Sequence, residues 1–183
     1  MRMRASEIFG LILIGAVSRL VPHIPNMTAI GAVALKGRAR FGGRGLLIPL
    51  ASMTLSDAMI GFYNWKLLLS VYTSFALVGL LGAFLQRTSI IRILTISCGG
   101  SSIFFLITNA AVWATSTWYP HTPQGLLACF IAGLPFFYPM LAGDIVFSLI
   151  LFRFGSVPTL ASSRRLRFLD IFSLGAAHGG SRF

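Results

Sequence analysis

The chain has 183 residues, 56% of them hydrophobic and only 10% charged, with a mean hydropathy of +0.83. A soluble globule carries roughly a quarter charged residues, so this composition excludes one and points to a membrane bundle with no room for a separate soluble domain. The formal net charge of +11 comes from basic residues set between apolar runs, where membrane topology and anionic headgroups account for it and no nucleic-acid partner is expected.

The expected fold is all-α, a polytopic transmembrane helix bundle of about six segments over residues 1–155. A basic, Gly/Ser-rich cytoplasmic tail over 156–183 follows it. The first segment, 5–21, follows MRMR and resembles a signal peptide with Ala16–Ser18 as a cleavage site. Glu7 interrupts the approach to its apolar core, and the remaining topology needs this segment, so it reads as the first membrane helix. The second, 26–36, is too short to span alone at ~1.5 Å per residue. It is expected as a re-entrant or half-buried helix, or as a span lengthened by its flanks.

The third (45–62), fourth (66–86), fifth (91–114) and sixth (124–153) are each long enough for a hydrocarbon core of roughly 30 Å. The sixth is longer than the bilayer needs. Gly133, Pro135 and Pro139 predict a break or kink within it. Small-xxx-small spacings at Gly79–Ala83, Ser97–Ser101, Ala110–Ala114 and Ala128–Ala132 permit close helix contact.

With six crossings, every Lys and Arg of the fifteen except Arg19 and Lys66 falls on one side. The opposite loops, 22–25, 63–65 and 115–123, hold none. The positive-inside rule then places both termini in the cytoplasm, and the protein as multi-pass in a bacterial cytoplasmic (inner) membrane. Tyr63, Trp65, Trp113, Trp118 and Tyr119 fall at the outer interface, as an aromatic belt would. Cys98 and Cys129 stand apart from any ligand-like neighbour, so they fit neither a zinc spacing nor a disulfide framework. The chain has no G-x-x-x-x-G-K-[ST], H-E-x-x-H or G-x-S-x-G. It is expected to be no enzyme and to carry no metal and no cofactor.

Ionisable residues at membrane depth are costly and each requires a reason. Arg19, near the outer end of segment one, either snorkels to the headgroups or supplies counter-charge in an outward-facing pocket. Asp57 lies roughly 7.5 Å below the outer end of segment three. A short carboxylate cannot snorkel that far, so an Arg19–Asp57 pair is expected, either structural or substrate-facing. Asn109 lies at a similar depth on segment five. With Asn26 and His23 from the polar stretch RLVPHIPNMT, these residues form a candidate substrate-binding cluster open to the outside. Asp144 is a candidate proton-carrying or structural acid. A straight sixth helix places it near the cytoplasmic face, and a break at Pro135 places it nearer mid-membrane. His121, in an outer loop, is expected to be solvated.

The run from Arg19 through Pro22, His23, Pro25, Asn26 and Thr28 to Ile30-Gly31-Ala32 resembles the R-x-x-P-H-x-P-N-x-T-P-I-G-A signature of an uncharacterised bacterial membrane-protein family. Pro49–Met53 with Ser56-Asp57 and Gly61-Phe62 is similar to the same family. So are Thr108-Asn109 with Val112-Trp113, and Tyr119-Pro120 with Pro135-Phe136-Phe137 and Gly143-Asp144. The likeness covers about 17–153 and departs at Ala29, where the family pattern has proline, and in the KGRARFGGR stretch. The layout in turn resembles the S-components of energy-coupling factor transporters, although their helix-one A-x-x-x-A contact motif has no counterpart here. That resemblance implies a vitamin- or micronutrient-binding uptake subunit with a transmembrane coupling subunit and ATPases as partners. The alternative is a structural or scaffolding membrane protein without a ligand, whose polar cluster is satisfied internally.

Overall fold

The computed structural model describes residues 5–22, 24–86 and 89–154, so the expected tail at 156–183 lies outside the described residues. The described chain forms α1 (Ala5–Leu20), α2 (Ile30–Phe41), α3 (Leu47–Ile60), α4 (Trp65–Leu81), α5 (Ile90–Thr115) and α6 (Pro123–Phe154). Short 3-10 turns cover Gly42–Leu46 and Gly82–Gln86, and there is no strand among the described residues.

Three helical stretches are long and apolar enough to cross a membrane: Trp65–Leu85, Ile90–Thr115 and Pro123–Arg153. Their outward faces carry Leu69, Leu77, Ile91, Leu106, Leu127 and Ile131. The interior holds the hydroxyls of Ser52, Ser56, Ser74, Ser97, Ser101 and Ser148. Apolar surface outside and small polar groups within is the arrangement that lipid favours. The third segment, expected over 45–62, is a 14-residue helix. Gly42–Leu46 winds as a 3-10 turn before it, and Gly61, at a φ of +109°, ends it.

The second segment departs furthest from expectation. It is buried along most of its length rather than half-buried, and it forms the axis of the bundle, touching every other helix. It runs four residues beyond the predicted start and into the basic stretch, so Lys36, Arg38 and Arg40 are helical rather than looped. Ile30–Gly37 and Ala39 are buried. Its small residues make this packing possible. A Cβ on Gly45 would fall on the Gly37 carbonyl, and one on Gly82 would fall on the Leu35 carbonyl. Backbone therefore meets backbone around α2. Lys36 is only 6% exposed, with Nζ 4.9 Å from the centre of the Phe152 ring.

The predicted break in the sixth segment is absent: α6 runs unbroken through Pro135 and Pro139. Each proline removes one N–H from the helical ladder. Close packing holds the segment nonetheless, because the Phe105 ring of α5 sits 5.7 Å from Phe130 and 5.0 Å from Phe137, on either side of Pro135.

The helix ends alternate. Glu7 of α1 forms a two-point bond with Arg40 of α2, at 3.0 and 3.1 Å. At the same end Leu35 and Ala39 of α2 pack with Leu85, with Ile93 at the start of α5 and with Phe152 at the end of α6. Arg38, Arg40, Arg44, Arg92 and Arg153 gather there. Arg19, Asp57, Tyr63 and Asn109 belong to the opposite half.

Candidate functional site

Helix α1 ends at Leu20, where Pro22 and Pro25 prevent its continuation. The chain then turns through Asn26, which adopts a φ of +64°, a conformation asparagine tolerates better than most residues. Met27 N donates to the Ile24 carbonyl and Ala29 N to Ser18 Oγ, which ties the turn back onto α1. The entry to α2 is thereby fixed, with Asn26 facing inward from an exposed position.

Arg19 and Asp57 pair as expected. Arg19 Nη2 lies 2.6 Å from Asp57 Oδ1, an ionic contact with no aligned hydrogen bond to that oxygen. Arg19 Nη1 donates to Ser56 Oγ at 2.7 Å, and Tyr72 Oη donates to Asp57 Oδ2 at 2.9 Å. Asp57 is 1% exposed. Its charge is thus met from both sides within the protein, and it does not line either cavity described next.

A cavity of about 190 Å³ opens beside this pair, lined by Arg19, Asn26, Tyr63, Phe75, Met140 and Asp144 among others. A second, of about 160 Å³, adjoins it and is lined by Asn109, Thr108, Phe105 and Phe137. Asn26, Phe104 and Met140 border both. Tyr63 stands in the turn between α3 and α4, where burial, and secondarily the Asp57 carboxylate, pushes its phenol up to about 12. It presents a neutral hydroxyl at the mouth. In the second cavity Asn109 Nδ2 donates to the Phe105 carbonyl at 2.8 Å, and its Oδ1 abuts Gly133.

Asp144 is buried at the level of Ser101, near the middle of α5, although α6 is unbroken. The straight-helix expectation of a cytoplasmic position is corrected. Helix α6 begins beyond the end of α5, with Trp113 Nε1 bonded to the Pro120 carbonyl and Gly133 against Asn109. The added turns bring Asp144 to mid-bundle. Ser101 Oγ donates to its Oδ2 at 2.7 Å, and the carboxylate rests on the backbone of Gly31, where a Cβ would collide with it.

The structure therefore gathers Arg19, Asn26 and Asp144 around one cavity and Asn26 with Asn109 around its neighbour. Asp57 stands behind Arg19. His23 lies outside the described residues. His121 is not merely solvated: its Nε2 is 2.9 Å from the Trp113 carbonyl, and its ring packs edge-on to the indole. Tyr72, Gly31 and Ser101 escaped sequence reasoning as partners of the acids. Only Ser101 carried a signal, in the Ser97–Ser101 spacing. Among the described residues, no group of three or more His, Cys, Asp or Glu side chains could hold a metal.

Residues 1–166 match the family of unknown function DUF6580, and the chain belongs to that family. No curated protein and no solved structure matches it, so neither comparison shows a likeness to S-components.

Proposed function

We propose that this family member is a multi-pass inner-membrane protein that binds a small polar solute in its outer half and serves as the capture subunit of an uptake system. The observation that carries this reading is the pair of adjoining cavities. Polar side chains from α1, the α1–α2 turn, the α3–α4 turn, α5 and α6 line them, inside a bundle whose outer faces are apolar. A small number of polar groups among aromatic walls is the usual make-up of a ligand site. Asn26 and Asn109 would orient polar groups of the solute, Arg19 would set the electrostatic field near the mouth, and Asp57 would hold Arg19 in place.

All six helices cross in this reading, with both termini on the cytoplasmic, basic side. The alternation of helix ends and the gathering of arginines at one end support it. The reading needs no enzymatic step and no cofactor in this chain. Transport energy would come from a transmembrane coupling subunit and ATPases, in the manner of the S-components that the layout resembles.

Native mass spectrometry of the protein released from its own membranes tests the proposal. A small molecule should co-purify, and its occupancy should fall in Asn26→Leu and Asn109→Leu, which fill the cavities with carbon. An empty protein that no solute stabilises would contradict it.

A second reading, a structural membrane protein without a ligand, is favoured by one observation. The Arg19–Asp57–Tyr72 cluster is satisfied within the protein. It predicts that these variants change stability and nothing else.

A further inference from the structure

Asp57 and Asp144 are in opposite electrostatic situations. Asp57 is matched by Arg19 and lies outside the cavity lining. Asp144 lines the cavity and is 5% exposed. The ion pairs among the described residues are Arg19–Asp57 and Arg40–Glu7, and neither includes Asp144. Its oxygen Oδ2 accepts from Ser101, its Oδ1 lies against the Gly31 backbone, and the residue lines the cavity. Gly31 is the second residue of α2, so the carboxylate also faces the positive end of that helix. A helix N-terminus supplies about half an elementary charge. A unit negative charge there remains only partly balanced.

An isolated carboxylate in a dry interior is unfavourable unless a cation or a proton joins it. The remaining lining decides which cation fits. Phe75, Phe104, Met53 and Met140 offer ring faces and thioethers. A hard inorganic cation such as calcium takes about six to eight oxygen ligands, whereas besides Asp144 the described residues of this lining offer side-chain oxygens from Asn26, Thr28 and Tyr63 alone. An ammonium group on a carbon body suits it, since the charge can meet the carboxylate and an aromatic face while the body contacts apolar side chains.

We infer that the solute is a small organic cation, a protonated amine whose charge sits against Asp144 and whose apolar body lies along Phe75, Phe104 and Met140. This rests on the reading of the cavity as a solute site. Arg19, already matched by Asp57, is then not required to bind an anion. The adjoining cavity around Asn109 receives whatever polar group the far end of the amine carries.

Thermal unfolding of the purified full-length protein in detergent, at constant ionic strength, tests this with charge-matched probes. Butylammonium and phenethylammonium are compared with butanol and 2-phenylethanol, with butyrate and phenylacetate, and with sodium chloride alone. The ammonium probes should raise the unfolding temperature and the other classes should not. In Asp144→Asn, which keeps the size and the hydrogen-bonding capacity of the side chain, their apparent affinity should drop about tenfold or more, the scale of one charge-assisted hydrogen bond. Should that variant fail to fold, the comparison of each amine with its alcohol in the wild-type protein still decides the matter. Equal stabilisation by alcohol and amine, or stabilisation by carboxylates, would overturn the assignment and leave the cavity a solute site of another class. Stabilisation by sodium alone would make Asp144 an inorganic-cation site. No response to any probe, with no small molecule co-purifying, would remove the solute site altogether.

Discussion

Asp57 and Tyr63 show how far single residues direct the cavity-bearing half of the bundle. The carboxylate of Asp57 is buried and held at 2.6 Å by Arg19, so removing one partner leaves an uncompensated charge. Such losses run to about 3–5 kcal/mol, whereas replacing both partners by apolar groups is often close to neutral. Asp57→Leu should therefore lower stability by about 3 kcal/mol, the bottom of that range because Arg19 keeps some access to water. Adding Arg19→Leu should recover part of the loss, as read by thermal unfolding in detergent. Tyr63 predicts a pH effect. Its folded pKa of about 12 lies above the ordinary 10.0, so stability fully present below the unfolded value is lost as pH rises through that window. Chemical denaturation between pH 9 and 11 should show this decline, and Tyr63→Phe should flatten it. The ion pair was legible in the sequence because two opposite charges stood at one depth in an apolar chain. The Tyr72 bond was not, because a lone tyrosine in an apolar run has no periodicity to betray its partner.

At the scale of elements, α2 holds the bundle together through small residues. A Cβ at Gly82 would fall on the Leu35 carbonyl, whereas one at Gly99 meets nothing within 4 Å. Gly82→Ala should destabilise by about 1–3 kcal/mol through overpacking against backbone. Gly99→Ala, in the middle of α5, should be neutral or stabilising by up to about 1 kcal/mol, because alanine is the better helix former. The two variants add the same methyl group, one at a buried position and one at a half-buried position with open space beside it, so their difference in unfolding temperature reads the contact. The shortness of this segment was visible in hydropathy, but its central place was not. Lys36, Arg38 and Arg40 read as the start of a loop, although a long basic side chain can leave a buried helix and reach a polar end. The prolines of α6 misled in the opposite sense. Pro135 and Pro139 are breakers in isolation, and the aromatic clamp from Phe105 on either side of Pro135 is a tertiary contact between neighbouring helices that local sequence does not reveal.

For the whole molecule, the alternating helices separate two ends of different character. One gathers arginines around the closed core of Leu35, Ile93 and Phe152. The other carries the cavities, with Asn26 and Tyr63 at their solvent-facing mouth. Composition and the distribution of Lys and Arg made this polarity legible. The enclosure of Asp144 was hidden, because it depends on how far α6 extends past α5. The most direct measurement is labelling of single cysteines in intact cells by a membrane-impermeant thiol reagent, after replacing Cys98 and Cys129. A cysteine at position 26 should be labelled from outside and protected by the bound solute, while one at position 44 should react only after the membrane is opened. Labelling of position 44 from outside, or of position 26 only from the cytoplasm, would contradict an outward-facing cavity above a basic cytoplasmic end.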